Sequence, residues 1–126
     1  MNNDELYKKI HELFEELQLL NYEIPIIVEG KNDESALREL GMVGEILKLN
    51  TGQSILDFCE EIANKHHEVI LLMDWDVKGQ QLFKRLKRYF KPAKVKTNDK
   101  YWRKLKKYCS KEISEIEQLV KYKDIG

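Results

Sequence analysis

The chain is poor in the residues that cross-link proteins or anchor them in membranes. It has two cysteines, Cys59 and Cys109, far apart and outside any C-x-x-C pair. That spacing excludes a disulfide framework and gives no reason to expect zinc. Both read as buried or half-buried free thiols. The three histidines, His11, His66 and His67, have no ligand-like company; His66-His67 falls at the end of a helical stretch, where imidazole meets the helix dipole. No apolar run approaches the roughly 20 residues that span a bilayer. The first five residues, Met1-Asn2-Asn3-Asp4-Glu5, are acidic and lead into a charged helix, so no signal peptide is expected and a cytoplasmic location is. There is no repeat, low-complexity tract or interdomain linker.

What is present suits one domain over residues 1–126, with 42% hydrophobic and 35% charged residues. The net charge of zero hides a strong asymmetry. Residues 1–77 hold 6 Lys/Arg against 17 Asp/Glu, whereas residues 78–111 hold 14 against 1. A basic segment interleaved with aromatics points to a polyanion partner.

Hydrophobic periodicity orders the chain. Leu6, Ile10, Leu13, Phe14, Leu17 and Leu20 recur at helical spacing over residues 4–20, with Asn2 or Asn3 as the cap. Pro25-Ile26-Ile27-Val28 is a short continuous apolar run, as in a strand covered on both faces. A helix capped by Asn32 or Asp33 runs to about Leu40, where Gly41 stops it. Residues 45–49 read as a second strand and 53–65 as a helix with Ile55, Leu56, Phe58, Cys59, Ile62 and Ala63 inward. Residues 69–73 form a third, fully apolar strand. A helix from Gly79 to about Phe90 follows, then an edge strand over 93–97 whose lysines discourage edge pairing. Two helical stretches, near 99–108 and 111–122, end the chain. The order β-α-β-α-β-α-β with helical ends predicts an α/β fold on a four-stranded, mainly parallel sheet.

Three acidic residues stand at strand ends: Glu29 after the first strand, Asp74 and Asp76 after the third. Ligands of open parallel sheets gather at the carboxyl ends of strands. If the first and third strands are neighbours, about 4.8 Å apart, Glu29 and Asp74 share one cation, with Asp76 two residues on facing the same side. Oxygen donors without His or Cys favour magnesium or manganese over zinc. Gly30 and Gly79 permit a sharp turn or a close approach to phosphate, and Lys31 and Lys78 lie beside the acids. The plainer alternative is that these acids only cap helices.

Val28-Glu29-Gly30-Lys31-Asn32-Asp33 followed by Met73-Asp74-Trp75-Asp76-Val77-Lys78-Gly79 resembles the Toprim domain, over about residues 24–98. That family carries a Glu, usually followed by Gly, after its first strand and a D-x-D-x-x-G after its third. The V-E-G-K-x-D form is similar to the maturase of 5S ribosomal RNA, and the whole to small stand-alone Toprim proteins and primase-type Toprim domains. The resemblance implies a Rossmann-like fold and magnesium held by Asp74 and Asp76. Glu29 is then a metal ligand or a general acid/base. The implied chemistry is phosphoryl transfer, as a nuclease or nucleotidyltransferase acting on RNA or DNA, in RNA processing or DNA repair. At 126 residues the chain is expected to lack a topoisomerase's tyrosine-bearing domain and a primase's zinc module.

The basic block begins at the acidic loop. Lys84, Arg85, Lys87, Arg88 and Lys91 spread over one side of the helix from Gly79 to about Phe90, opposite Leu82 and Leu86, and are expected to bind nucleic acid. Tyr89, Tyr101, Trp102 and Tyr108 either stack on bases or pack the C-terminal helices, packing being the favoured reading. The rival to an enzyme is a non-catalytic nucleic-acid-binding or adaptor protein with a structural metal site. A further possibility is that the acidic first helix docks on the basic block, within or between chains.

Overall fold

The structure is a computed structural model that describes residues 1–124. Helix α1 (Asn3–Asn21) precedes strand β1 (Ile26–Val28), α2 (Lys31–Glu39), β2 (Ile46–Lys48), α3 (Ile55–Ala63), β3 (Glu68–Leu71), α4 (Val77–Phe90), β4 (Lys96–Asn98) and α5 (Lys100–Cys109); a 3-10 helix (Ile116–Tyr122) ends it. The strands form one sheet in the order β2-β1-β3-β4, with every pair parallel. Ile26 lies opposite Ile46 on one side and Ile70 on the other, so β1 and β3 are the adjacent central strands that the acidic pattern requires.

The sheet is central because its two inner strands, β1 and β3, are apolar on both faces. Ile26, Ile27, Val28, Val69, Ile70 and Leu71 are all fully buried. Chain direction across the sheet reverses between β1 and β3, since β2 lies to one side of β1 while β3 and β4 lie to the other. Right-handed crossovers then place α2 on one face and α3 and α4 on the opposite one. The packing agrees: α3 contacts α4, whereas α2 contacts the 3-10 helix and α1 contacts α5. Among the described residues no helix is long and apolar enough to cross a membrane.

Several boundaries differ from the sequence expectation for local reasons. Asn2 caps α1 by accepting the Glu5 N–H at 2.9 Å. The cap of α2 is Gly30, not Asn32 or Asp33; Asp33 sits in the first turn and reaches back to the Gly30 N–H at 3.1 Å. Gly41 ends that helix region with φ of +94°, in the left-handed region that suits glycine. Ser54 caps α3, and Leu56 faces solvent while Phe58, Cys59 and Ile62 turn inward. Helix α4 starts at Val77, two residues before Gly79, because Asp76 is its cap. The edge strand lies at 96–98, after a turn in which Lys94 adopts φ of 61°. The last stretch winds as a 3-10 helix from Ile116, not as an α-helix from 111.

The acidic first helix does meet the basic block within the chain. Glu16 accepts from Lys100 at 3.3 Å and from the Tyr101 hydroxyl at 3.2 Å. The contact is narrow, and most of the α4 and α5 cations stay clear of it.

Candidate functional site

Strand β1 ends at Val28, so Glu29 emerges at its carboxyl end; β3 runs through buried Leu72 and Met73 into Asp74. The two acids therefore meet where strand direction reverses, the usual crevice for ligands in open α/β sheets. Glu29 Oε2 accepts the Asp74 N–H at 2.9 Å, which ties the two strand ends together. The Glu29 carboxyl is also close enough to the Asp74 carboxyl to favour its protonated form.

The loop bearing Asp74 and Asp76 is clamped from behind. Trp75 is buried between the two acids, and its backbone N–H donates to the Ser114 carbonyl at 2.8 Å. Its indole N–H donates to the Trp102 carbonyl at 3.0 Å, and the Trp102 indole N–H donates to the Met73 carbonyl at 2.8 Å. Trp102 also stacks on Phe83 with ring centroids 4.0 Å apart. The alternation of Met73, Asp74, Trp75 and Asp76 thus anchors alternate residues in the core and turns the two carboxylates outward.

Asp74 Oδ1 accepts the Ile116 N–H at 2.8 Å. Asp76 Oδ1 accepts the Gly79 N–H at 2.7 Å, which caps α4. The Gly79 N–H is therefore engaged with Asp76, not offered to a phosphate. Gly79 has a different necessity: a Cβ there would sit 2.1 Å from the Asp74 carbonyl oxygen. Only glycine lets α4 begin so close to the acidic loop. Gly30 is extended (φ −156°), so it makes no sharp turn, and a Cβ there would meet nothing within 4 Å. It leaves open space beside Glu29.

That space is a cleft of about 580 Å³ lined by Glu29, Gly30, Lys31, Asn32, Asp33, Leu49, Asn50, Ile55, Asp74, Lys78, Leu82, Glu115 and Glu117. Burial raises the Asp74 carboxyl to about 7, against the Ile116 hydrogen bond and with help from Glu29 and Asp76. Burial likewise raises Asp33 to about 6, helped by the charge of Asp74. Glu115 is raised by its hydrogen bond with Glu117, with the charges of Asp74 and Asp76 adding to it. These groups repel one another in a partly enclosed space, a situation a cation relieves.

The structure brings Glu29 and Asp74 together and keeps one oxygen of Asp76 on the start of α4. Among the described residues no three His, Cys, Asp or Glu side chains converge as a ready coordination sphere. The donor chemistry still fits a hard cation. Magnesium keeps several waters and takes only one or two protein carboxylates beside a substrate phosphate. Glu29 and Asp74 match that need.

Sequence reasoning did not single out three participants in this cleft. From sequence Asp33 is a candidate helix cap, although the same V-E-G-K-x-D motif contains it. Glu115 and Glu117 come from a segment with no motif, and only the fold carries them to Asp74.

The match to known proteins follows the same geometry. A model of the Toprim domain matches residues 24–117. The chain belongs to the Toprim family. The matched region runs past β4 through α5 to Glu117, the stretch that backs the acidic loop. Toprim domains in general hold magnesium through acidic residues and are associated with nucleic acid. Similar proteins include the UPF0292 protein of Thermoplasma volcanium, 42% identical over 79% of this chain and 82% of its own. That of Methanosarcina barkeri is 39% identical over 97% and 88%, and that of Methanocaldococcus jannaschii 35% identical over 97% and 95%. This Toprim chain is thus of the small UPF0292 kind. A solved structure described as a putative protein from Aquifex aeolicus superposes with a TM-score of 0.74 at 29% identity, covering 85% of this chain and 94% of that one.

Proposed function

We propose that the cleft binds magnesium, with manganese as a substitute, and performs phosphoryl transfer on the backbone of RNA or DNA as a nuclease or nucleotidyl-transfer enzyme. The observation that carries this reading is the meeting of Glu29 and Asp74 at the β1–β3 switch point, beside Asp76 and open to a polar cleft. Glu29 and Asp74 would hold the ion with Asp76 beside them, and Glu29 could instead move a proton; when bound, the ion would neutralise charge developing on a phosphate and help orient the attacking oxygen. Lys31 and Lys78, on the cleft lining, offer ammonium groups to phosphate oxygens. Lys84, Arg85 and Arg88 extend positive charge along α4 away from the cleft.

Incubation of labelled single- and double-stranded RNA and DNA with the protein and magnesium tests this. Cleavage or joining that Asp74→Asn abolishes, with binding kept, is the expected result; unchanged turnover in that variant refutes the assignment. One observation favours a second reading, a binding or adaptor protein with a structural ion: Asp74 and Asp76 each commit an oxygen to a backbone N–H. That reading predicts binding without turnover by the unmodified protein.

A further inference from the structure

We infer that the exposed cationic surface of α4 and α5 docks the double-stranded backbone of RNA or DNA, through phosphates and without reading unpaired bases. This rests on the phosphoryl-transfer reading of the cleft and names the form in which the polymer reaches it.

The first observation is charge. Residues 78–111 carry fourteen cations and one acid, Asp99. That acid is used up between the helices, accepting from Lys87 at 2.8 Å and from Arg103 at 3.1 Å. Among the described residues, only Lys87, Lys100 and Arg103 of the fourteen form ion pairs. Lys84, Arg88 and Lys91 are exposed along one side of α4, opposite the buried Phe83, Leu86 and Phe90. From Lys78 at the cleft to Lys91 the helix advances about 20 Å at about 1.5 Å per residue, the rise of about 6 base pairs.

The second observation is what this surface lacks. Proteins that hold single strands stack bases on exposed aromatic rings. Here the rings are committed inward. Tyr101 and Trp102 are buried, Trp102 against Phe83, and Tyr89 and Tyr108 pack partly buried on the core. The most exposed large apolar side chains among the described residues are Met1, Leu19, Tyr22, Val43, Leu56 and Val77, with no ring among those on α4 or α5. A duplex hides its bases and offers phosphates, which is what a lysine- and arginine-covered helix without rings can grip.

The third is the cleft itself. Glu29, Asp33, Asp74, Glu115 and Glu117 all line it. Without a cation these five acids outweigh Lys31 and Lys78 on the same lining, so the main grip on a polyanion lies on a neighbouring surface.

The test is fluorescence anisotropy in chelator with 20-residue RNA and DNA, each as duplex and as single strand. Both duplexes are expected to bind at least about tenfold tighter than the single strands. Replacing Lys84, Arg88 and Lys91 together with Gln weakens duplex binding at least about tenfold and flattens the slope of log affinity against log salt by about 2 to 3. Replacing Lys8, Lys9 and Lys65 with Gln changes net charge equally outside α4 and α5, and leaves affinity within about twofold. Single strands binding as tightly as duplexes, or equal losses in the two triple variants, overturn the inference. Thermal melts confirm that both variants fold. Since binding is read without metal, a melt that ignores magnesium counts against the cleft reading alone.

Discussion

Replacing Asp74 with asparagine separates the cost of its charge from every other role it plays. Its Oδ1 accepts the Ile116 N–H, and an asparagine carbonyl accepts the same bond. The Asp74 backbone N–H keeps its bond to Glu29, and the asparagine amide N–H can donate to Glu29 where the protonated carboxyl does. Only the ionisation is lost. The carboxyl sits at about 7 against an ordinary 3.8 because burial, then Glu29 and Asp76, disfavour its charge. A folded-state value above the unfolded one means the folded protein holds this proton more tightly. The stability contributed is full below 3.8 and is lost as pH rises through about 7. The two values are a little over three decades apart, about 4 kcal/mol at 1.36 kcal/mol per decade, and screening across the open cleft reduces this to about 2 kcal/mol. For a chain of this size that is about 8 °C in Tm. Melts of both proteins in chelator, from about pH 4 to pH 8, are the assay. The variant's Tm relative to the parent should climb by about 8 °C across that range, because asparagine does not titrate. Asp33 is raised partly by the charge of Asp74, so the variant relaxes Asp33 as well and widens the difference in the same direction. Parallel curves, or a variant that loses ground as pH rises, refute the account of Asp74 as a strained anion.

Three further outcomes follow from the same geometry. Magnesium at about one hundred times its dissociation constant should raise stability by about 2.7 kcal/mol, more at pH 8 than at pH 6 because Asp74 must be ionised, and not at all in Asp74→Asn; scanning fluorimetry reads it. Gly79→Ala should lower Tm by about 10 °C or more, or prevent folding, since the new carbon would sit 2.1 Å from the Asp74 carbonyl, whereas Gly30→Ala should leave Tm within about 3 °C; near-ultraviolet circular dichroism distinguishes them. Asn21→Ala should cost about 2 to 4 kcal/mol in chemical denaturation, because this buried amide donates to the Ile24 and Glu45 carbonyls and accepts from the Gly44 N–H.

The residues that place the site were legible because their signals are local. Ile26-Ile27-Val28 and Val69-Ile70-Leu71 have the unbroken apolarity of strands covered on both faces, and each runs directly into an acid. From that it followed that Glu29 and Asp74 meet if the two strands pair, and they do. Hidden from the sequence was everything decided by distance along the chain. Whether an acid after a strand caps a helix or faces a ligand depends on which N–H lies within reach. Asp76 turned toward Gly79, and Asp33 toward Gly30 with burial in the cleft. The helix expected over 111–122 gave way to a 3-10 turn because Trp75 and Asp74 bind the backbone at Ser114 and Ile116. No periodicity records that demand.

The clamp behind the acidic loop also has a temporal side. Asp74 receives its hydrogen bond from Ile116, forty-two residues later, and Trp75 donates to the carbonyls of Trp102 and Ser114. On a ribosome, the strands and the acids they carry emerge well before the segment that fixes their loop. During synthesis the acids are therefore made before the backbone groups that hold their loop, and Asp74 and Trp75 take up their final bonds only once Ser114 and Ile116 are free to meet them.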